Sequence, residues 1–341
     1  MTEGLSEQNA LEERLRLKIE AYHDSALLYA AVKLGLPETM RARAWMADAL
    51  AGELGLSAPH LHRFLRGLTS LGICTENQDG SFALSAAGQS LVPGSPSRLW
   101  QKVQIVVEQY WQPWANLVTT VETGKPAFTH VFGMNVADWR RDNAEQGALF
   151  DSYLAQETFA QAPAIVAALD FSGAGTVADI GGGYGGLLAA ILQAHPRLTG
   201  ILFDRPHRIE AAMPFLQSQS VAARVQRIGG DLLDAIPLAA DLYLLNGVLQ
   251  QWDDAGAGAI LRNCRAAMAE GAKLVIVERP LPERASDDPA AIMLDLHMMA
   301  ITGGCARSRA EFKALLSQAG LALAKTTPAG LGLVIIEGVA A

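Results

Sequence analysis

The stretch "TVADIGGGYGGLLAAIL", Thr176–Leu192, decides the fold. A short β-branched run ends at Asp179, five glycines follow within six positions (Gly181, Gly182, Gly183, Gly185 and Gly186), and an apolar helix begins. Glycines at a strand-to-helix junction let the backbone turn tightly and approach a ligand where a Cβ would clash. Further apolar runs follow in "ILFDRP", "RVQRIGGDLL", "DLYLLNGV" and "KLVIVERP", separated by segments with helical spacing. This alternation predicts an α/β, doubly wound, Rossmann-like domain with a parallel sheet, whose ligand sits at the carboxyl ends of the strands.

A glycine loop alone does not name the ligand, because dinucleotide enzymes carry one too. The following strands add acids in order. Asp204, in "ILFDRP", stands about 20 residues on, where ribose hydroxyls are held. Asp231, in "GGDLLDAIP", suits an adenine amino group.

Outward from this core, the first 170 residues read as helical. "DSALLYAAVKLGL" has helical apolar spacing, and Met46–Val92 reads as a winged helix. In that reading Ser57 caps the helix "APHLHRFLRGLTSLG", and Asp79-Gly80 forms the tip of a hairpin. The second helix offers only His60, His62, Arg63 and Arg66, and the chain carries a net charge of −8, so nucleic acid is not expected as a partner. A packing or dimerisation role is expected instead. Aromatics crowd the stretch from Trp100 to Phe159, and "PAFTHVFGMN" is a Gly- and Pro-bounded loop, the kind of segment that lines a pocket for a flat ligand. The expected division is a winged-helix-like dimerisation domain over 1–95, a helical linker and substrate-pocket segment over 96–170, and a cofactor-binding domain over 171–341.

The bulk properties agree with a globular protein. The chain of 341 residues is 50% hydrophobic and 18% charged, outside the disordered range. No run approaches the roughly 20 apolar residues of a membrane span. The first residues are charged and lack the apolar centre of a signal peptide. Cys74, Cys264 and Cys305 are isolated and form no CxxC pair, so neither a disulfide framework nor a thiolate zinc site is expected. A soluble cytoplasmic protein with no membrane partner is the expectation.

Together with "VLQQWDD", Val248–Asp254, these motifs resemble the small-molecule O-methyltransferase family, which includes caffeate-type plant enzymes and bacterial antibiotic-pathway enzymes. The resemblance runs over nearly the whole chain, to the C-terminal hairpin "GLGLVIIEG". It implies S-adenosyl-L-methionine as cofactor, a small aromatic or heterocyclic substrate, and a homodimer. With Asp179 heading the loop, Gly181 and Gly183 would border the methionine part and Asp204 the ribose. Asp231 and Leu232 would hold the adenine, Trp252 would stack near it, Asn246 would sit by the cofactor, and Thr158 matches a hydroxyl position near its carboxylate. The candidate substrate-binding set is Trp100, Tyr110, Trp114, Phe128, His130 and Met298.

At one position the chain departs from the pattern. Where most members carry the histidine that deprotonates the substrate hydroxyl, this chain has Gln250, an amide that cannot act as a base near neutral pH. Of two glutamates that flank this histidine in the plant enzymes, Glu278 matches the first and Ala306 replaces the second. His297 is the imidazole available at a substrate-pocket position, as base, metal ligand or hydrogen-bonding wall. The candidate catalytic set is therefore Gln250, His297 and Glu278. A metal-free site is expected, because Asp295 is one of few further ligand candidates near His297. Two other readings stand beside methyl transfer to a small molecule. One is keto-acid C-methylation with a pocket metal; the other is a non-methylating member of the fold (hydroxylase, decarboxylase or pericyclic catalyst).

Overall fold

In a computed structural model, residues 2–341 are described, with side chains described from residue 8 onward. The chain forms two compact units, residues 1–112 and 113–341.

The first unit is helical except for one small hairpin. Helices Thr2–Glu20, Tyr22–Lys33, Leu36–Met40, Ala47–Leu54 and Ala58–Ser70 precede strands β1 (Cys74–Glu76) and β2 (Phe82–Leu84). The strands pair antiparallel, with Gly80 at φ 81° in the tip and Asp79 accepting from the Ser81 amide at 3.0 Å. Leu61, Leu65 and Leu68 recur on one face of helix Ala58–Ser70, and with Leu50 and Phe82 they form its core. The reading of Ser57 as a backbone cap needs correction. It occupies the N-cap position, but its hydroxyl pairs with His60 Nδ1 at 2.8 Å and makes no cap bond. Helix Leu99–Ile105 runs into a π-helical turn, Val106–Tyr110.

The second unit holds a seven-stranded sheet built of β3 (Thr176–Ile180), β4 (Thr199–Asp204), β5 (Val225–Gly229), β6 (Leu242–Asn246), β7 (Lys273–Glu278), β8 (Leu321–Pro328) and β9 (Val334–Ala340). Its order is β5-β4-β3-β6-β7-β9-β8. β3 to β7 are parallel, while β9 runs antiparallel to both β7 and β8. The central strands β3, β4, β6 and β7 are largely apolar because both faces are covered, and alternate residues serve different cores. Leu202 and Leu244 lie in one cluster with Leu188 and Leu192 of helix Gly186–Ala194. Their neighbours Phe203 and Leu245 lie in the other, with Ile260 and Leu261 of helix Asp254–Ala267 and Phe312 of helix Arg309–Gln318. The chain leaves β3 towards β4 on one side and returns through β6 on the other. That reversal places a crevice beside the end of β3, where open α/β sheets bind ligands.

Candidate functional site

Each of the five parallel strands delivers a polar residue to the same edge of the sheet: Asp179 in β3, Asp204 at the end of β4, Asp231 just beyond β5, Asn246 at the end of β6 and Glu278 at the end of β7. In-register pairing makes this possible, since Asp204 lies opposite Gly229 and Asn246 opposite Val277.

The glycine loop turns through residues at positive φ, Gly181 (73°), Gly183 (58°) and Gly185 (82°), a region unfavourable for residues with a Cβ. Gly181 donates to the Phe203 carbonyl at 2.7 Å. Asp204 Oδ2 accepts from the Gly183 amide at 2.7 Å, and Oδ1 from its neighbour Arg205 at 2.7 Å. A carboxylate has about four lone-pair sites, so each oxygen keeps a second one for a ligand. The space beside Gly183 is open, because a Cβ built there meets nothing within 4 Å. Asp179 is fully buried, and its Oδ1 has no hydrogen-bond partner among the described residues. Burial, and then the charge of Asp204, push its pKa up to about 7. An orphaned buried acceptor beside a glycine cradle and a hydroxyl-binding acid fits a ligand bearing positive charge and a diol.

Around that loop, Asp231 Oδ1 accepts from the Leu233 amide at 2.9 Å, while Leu232 and Trp252 are half-buried against the core. Thr158 lies half-buried on helix Ala144–Ala168, whose backbone at Ala155 presses against Gly186 at the start of the next helix.

Gln250 sits in a short 3₁₀ turn, Leu249–Gln251, that follows β6. The turn is held by its main chain. Glu278 Oε1 accepts the Gln250 N–H at 3.0 Å. Arg307, 2% exposed, donates to the carbonyls of Leu249 and Trp252, each at 2.9 Å, and to Asp254 Oδ1 at 2.9 Å. Burial pushes the Glu278 pKa up to about 7, while the Gln250 amide and the Arg307 charge pull the other way. Gly304 completes the seat, because a Cβ there would overlap the Gln250 carbonyl oxygen and lie 2.6 Å from the Trp252 nitrogen. Asp295 Oδ1 accepts from the Ala306 amide at 2.8 Å.

His297, on helix Pro289–Ile301, stacks on Trp114 at 6.1 Å between ring centroids and 23° between planes. The Trp114 indole N–H donates to His297 Nδ1 at 3.1 Å. Burial, reinforced by the charge of Arg140, pushes the His297 pKa down to about 4. Phe128 is fully buried and packs on Phe132 and Trp139. His130 is exposed and Met298 half-buried, and Trp100 and Tyr110 belong to the first unit. Among the described residues no group of three or more His, Cys, Asp or Glu side chains is arranged to hold a metal. Nothing in the sequence points to the seat at Gly304 or to Trp114's tie to His297, and "CARS" carries no signal that its arginine grips carbonyls 58 and 55 positions earlier.

Fold and site together define a class, the Rossmann-like methyltransferases. Residues 114–322 match the O-methyltransferase domain family and residues 18–94 the O-methyltransferase dimerisation domain. The chain is 38% identical to the phenazine O-methyltransferase PhzM of Lysobacter antibioticus, over 94% of this chain and 93% of the relative. It is 33% identical to the mitomycin biosynthesis 6-O-methyltransferase of Streptomyces lavendulae, over 98% and 95%. The solved structure of LaPhzM superposes with a TM-score of 0.92 at 37% identity, covering 97% of this chain and 99% of that one. The chain belongs to the O-methyltransferase family and is an S-adenosylmethionine-dependent methyltransferase. No described helix is long and apolar enough to cross a membrane.

Proposed function

We propose that the protein transfers the cofactor's methyl group to a hydroxyl of a small, flat, natural-product-type molecule, without a general base at position 250. The observation that carries this reading is the Trp114–His297 hydrogen bond. An indole N–H can only donate, so His297 Nδ1 must supply a lone pair and the ring proton resides on Nε2. A neutral imidazole in that form is a donor, not a base. It serves as a hydrogen-bonding wall, and Gln250 orients the acceptor. Rate then comes from in-line positioning of methyl donor and acceptor, which suffices when the acceptor is already ionised. The phenazine and mitomycin-pathway O-methyltransferases among the relatives support a small natural-product acceptor.

In this reading the cofactor is held by Asp179, Gly181, Gly183, Asp204, Asp231, Leu232, Asn246, Trp252 and Thr158, and when bound it supplies an electrophilic sulfonium methyl. Glu278 acts through the Gln250 backbone, as a positioning residue. Within the second unit, Trp114, Phe128, His130 and Met298 form the substrate wall or pack behind it. Residues 1–95 build a homodimer, 96–170 shape the pocket, and 171–341 bind the cofactor in a cytoplasmic protein that does not engage nucleic acid.

Incubation with methyl-labelled S-adenosylmethionine and hydroxyphenazines tests the proposal. Label in a methyl ether, with a pH profile that tracks the acceptor's own ionisation, is expected. Label on the carbon of a keto acid in a metal-dependent reaction, or cofactor recovered unchanged while the acceptor is altered, would overturn it.

A further inference from the structure

Two groups beside the glycine loop, the buried Asp151 and the half-buried Arg208, have no part in the site so far. Arg208, on the short helix Pro206–Ala211 that follows β4, reaches in two directions. Its Nη2 lies 3.1 Å from Asp151 Oδ1, and its Nη1 lies 3.7 Å from Asp204 Oδ1. The side chains of Asp151, Asp204 and Arg208 are 8%, 6% and 21% exposed. Asp151 lies on helix Ala144–Ala168, two turns before Thr158 and on the same face. The nearby pair between Arg205 and Asp138, at 3.5 Å, is more exposed, with about a third of each side chain open to solvent. An exposed pair contributes little, whereas a guanidinium shared between two buried carboxylates holds its partners more firmly.

We propose that Arg208, tethered by Asp151, is a positioning residue for the cofactor: it fixes the Asp204 carboxylate to accept the ribose diol of S-adenosylmethionine. This rests on the reading that Asp204 holds the ribose. Asp151 and Asp179 are buried acids that each feel the Asp204 charge, and Arg208 is the cation that Asp151 and Asp204 share. Without it the neighbouring carboxylates would push on Asp204 with less compensation, and two ribose hydroxyls would lose a fixed acceptor. The Gly183 and Arg205 amides orient the two oxygens but cannot compensate a full charge. Asp151 keeps the guanidinium from turning to solvent, and so links the helix that carries Thr158 to the ribose acid.

The test is calorimetric titration of the full-length protein with S-adenosylhomocysteine and with its analogue lacking both ribose hydroxyls. Arg208→Met should weaken S-adenosylhomocysteine binding by about 10- to 100-fold, the scale of lost charge-assisted hydrogen bonds. Asp151→Asn should weaken it by a smaller factor, and Arg208→Lys should recover part of the loss. None of these changes should weaken the deoxygenated analogue, and none should add to the loss already caused by Asp204→Asn. Equal losses for both ligands would reduce Arg208 to a structural role and overturn the proposal, as would unchanged binding in Arg208→Met. Should that variant fail to fold, Asp151→Asn with the same two ligands decides the matter. If Asp204→Asn itself leaves S-adenosylhomocysteine affinity intact, the cofactor reading falls and this proposal falls with it. If Asp204→Asn weakens binding while the Arg208 and Asp151 variants do not, the proposal alone falls.

Discussion

Replacing Gly304 with alanine adds one methyl group in a place where the structure has none to give. The new Cβ would overlap the Gln250 carbonyl oxygen and approach the Trp252 nitrogen to 2.6 Å, and all of these neighbours are backbone. Rotamer changes therefore cannot relieve the clash; the 3₁₀ turn must move as a body against the bonds from Glu278 and Arg307. Overpacking of this kind costs about 1–3 kcal/mol. In a domain of this size each kcal/mol lowers Tm by about 2–4 °C, so a fall of several degrees is expected. Turnover should drop as well, since Gln250 would be displaced from the acceptor. Gly52→Ala is the matched control. It lies inside helix Ala47–Leu54, and its added Cβ meets nothing within 4 Å, so it should stabilise by about 0.5–1 kcal/mol. Differential scanning calorimetry, with tryptophan fluorescence reporting on Trp252, reads both. A Gly304→Ala protein that melts with the wild type and keeps its fluorescence would refute the view that this seat fixes the turn.

His297→Asn should lower turnover by less than about tenfold, the scale of one neutral hydrogen bond, because a general base would cost roughly 10²–10⁴-fold; a pH–rate profile that loses an inflection in the variant would assign His297 as base after all. Gly183→Val fills the open space beside the loop with a branched side chain at φ 58°, and calorimetry should show S-adenosylhomocysteine binding weakened at least about tenfold. Asp179 and Glu278, raised from 3.8 and 4.5 to about 7, contribute stability that is complete at low pH and lost as pH rises through 7. His297, depressed from 6.5 to about 4, contributes stability that is lost only as pH falls below 6.5. The ligand-free protein should therefore melt lower at pH 8 than at pH 6.5, and Asp179→Asn should shrink that difference; identical melting at the two pH values would argue against these shifts. Light scattering should report a dimer, and a mass near 36.3 kDa at micromolar concentration would reject it.

The sheet and its ligand edge were legible because they follow from local rules. Five glycines after "TVADI", and an acid at the end of "ILF", can hardly be placed otherwise than at strand ends. The place of Gln250 just after a strand was legible for the same reason, since its turn follows β6 directly. What escaped the sequence depends on contacts between distant segments. Trp114 and His297 are 183 residues apart, and Arg307 serves carbonyls, which every residue possesses and no letter advertises. Ser57 looked like a cap by type, but His60 three residues on offers its hydroxyl a competing partner that the preference for serine ignores. The stretch around Phe128 looked like a punctuated loop, yet it folds as helix Ala127–Phe132, with the Phe128 ring packed on Phe132 and Trp139. Arg208 carries a local signal, an arginine four residues after Asp204 on the helix that follows β4.

Glu278 and Arg307 grip the Leu249–Trp252 turn through atoms common to all amino acids. The side chain at position 250 is thus uncoupled from the anchoring of its own loop. The group presented there can be exchanged with little penalty in folding, which makes position 250 a natural site for engineered diversity. Changes at Glu278, Arg307 or Gly304 instead loosen the turn itself, whatever residue stands at its centre.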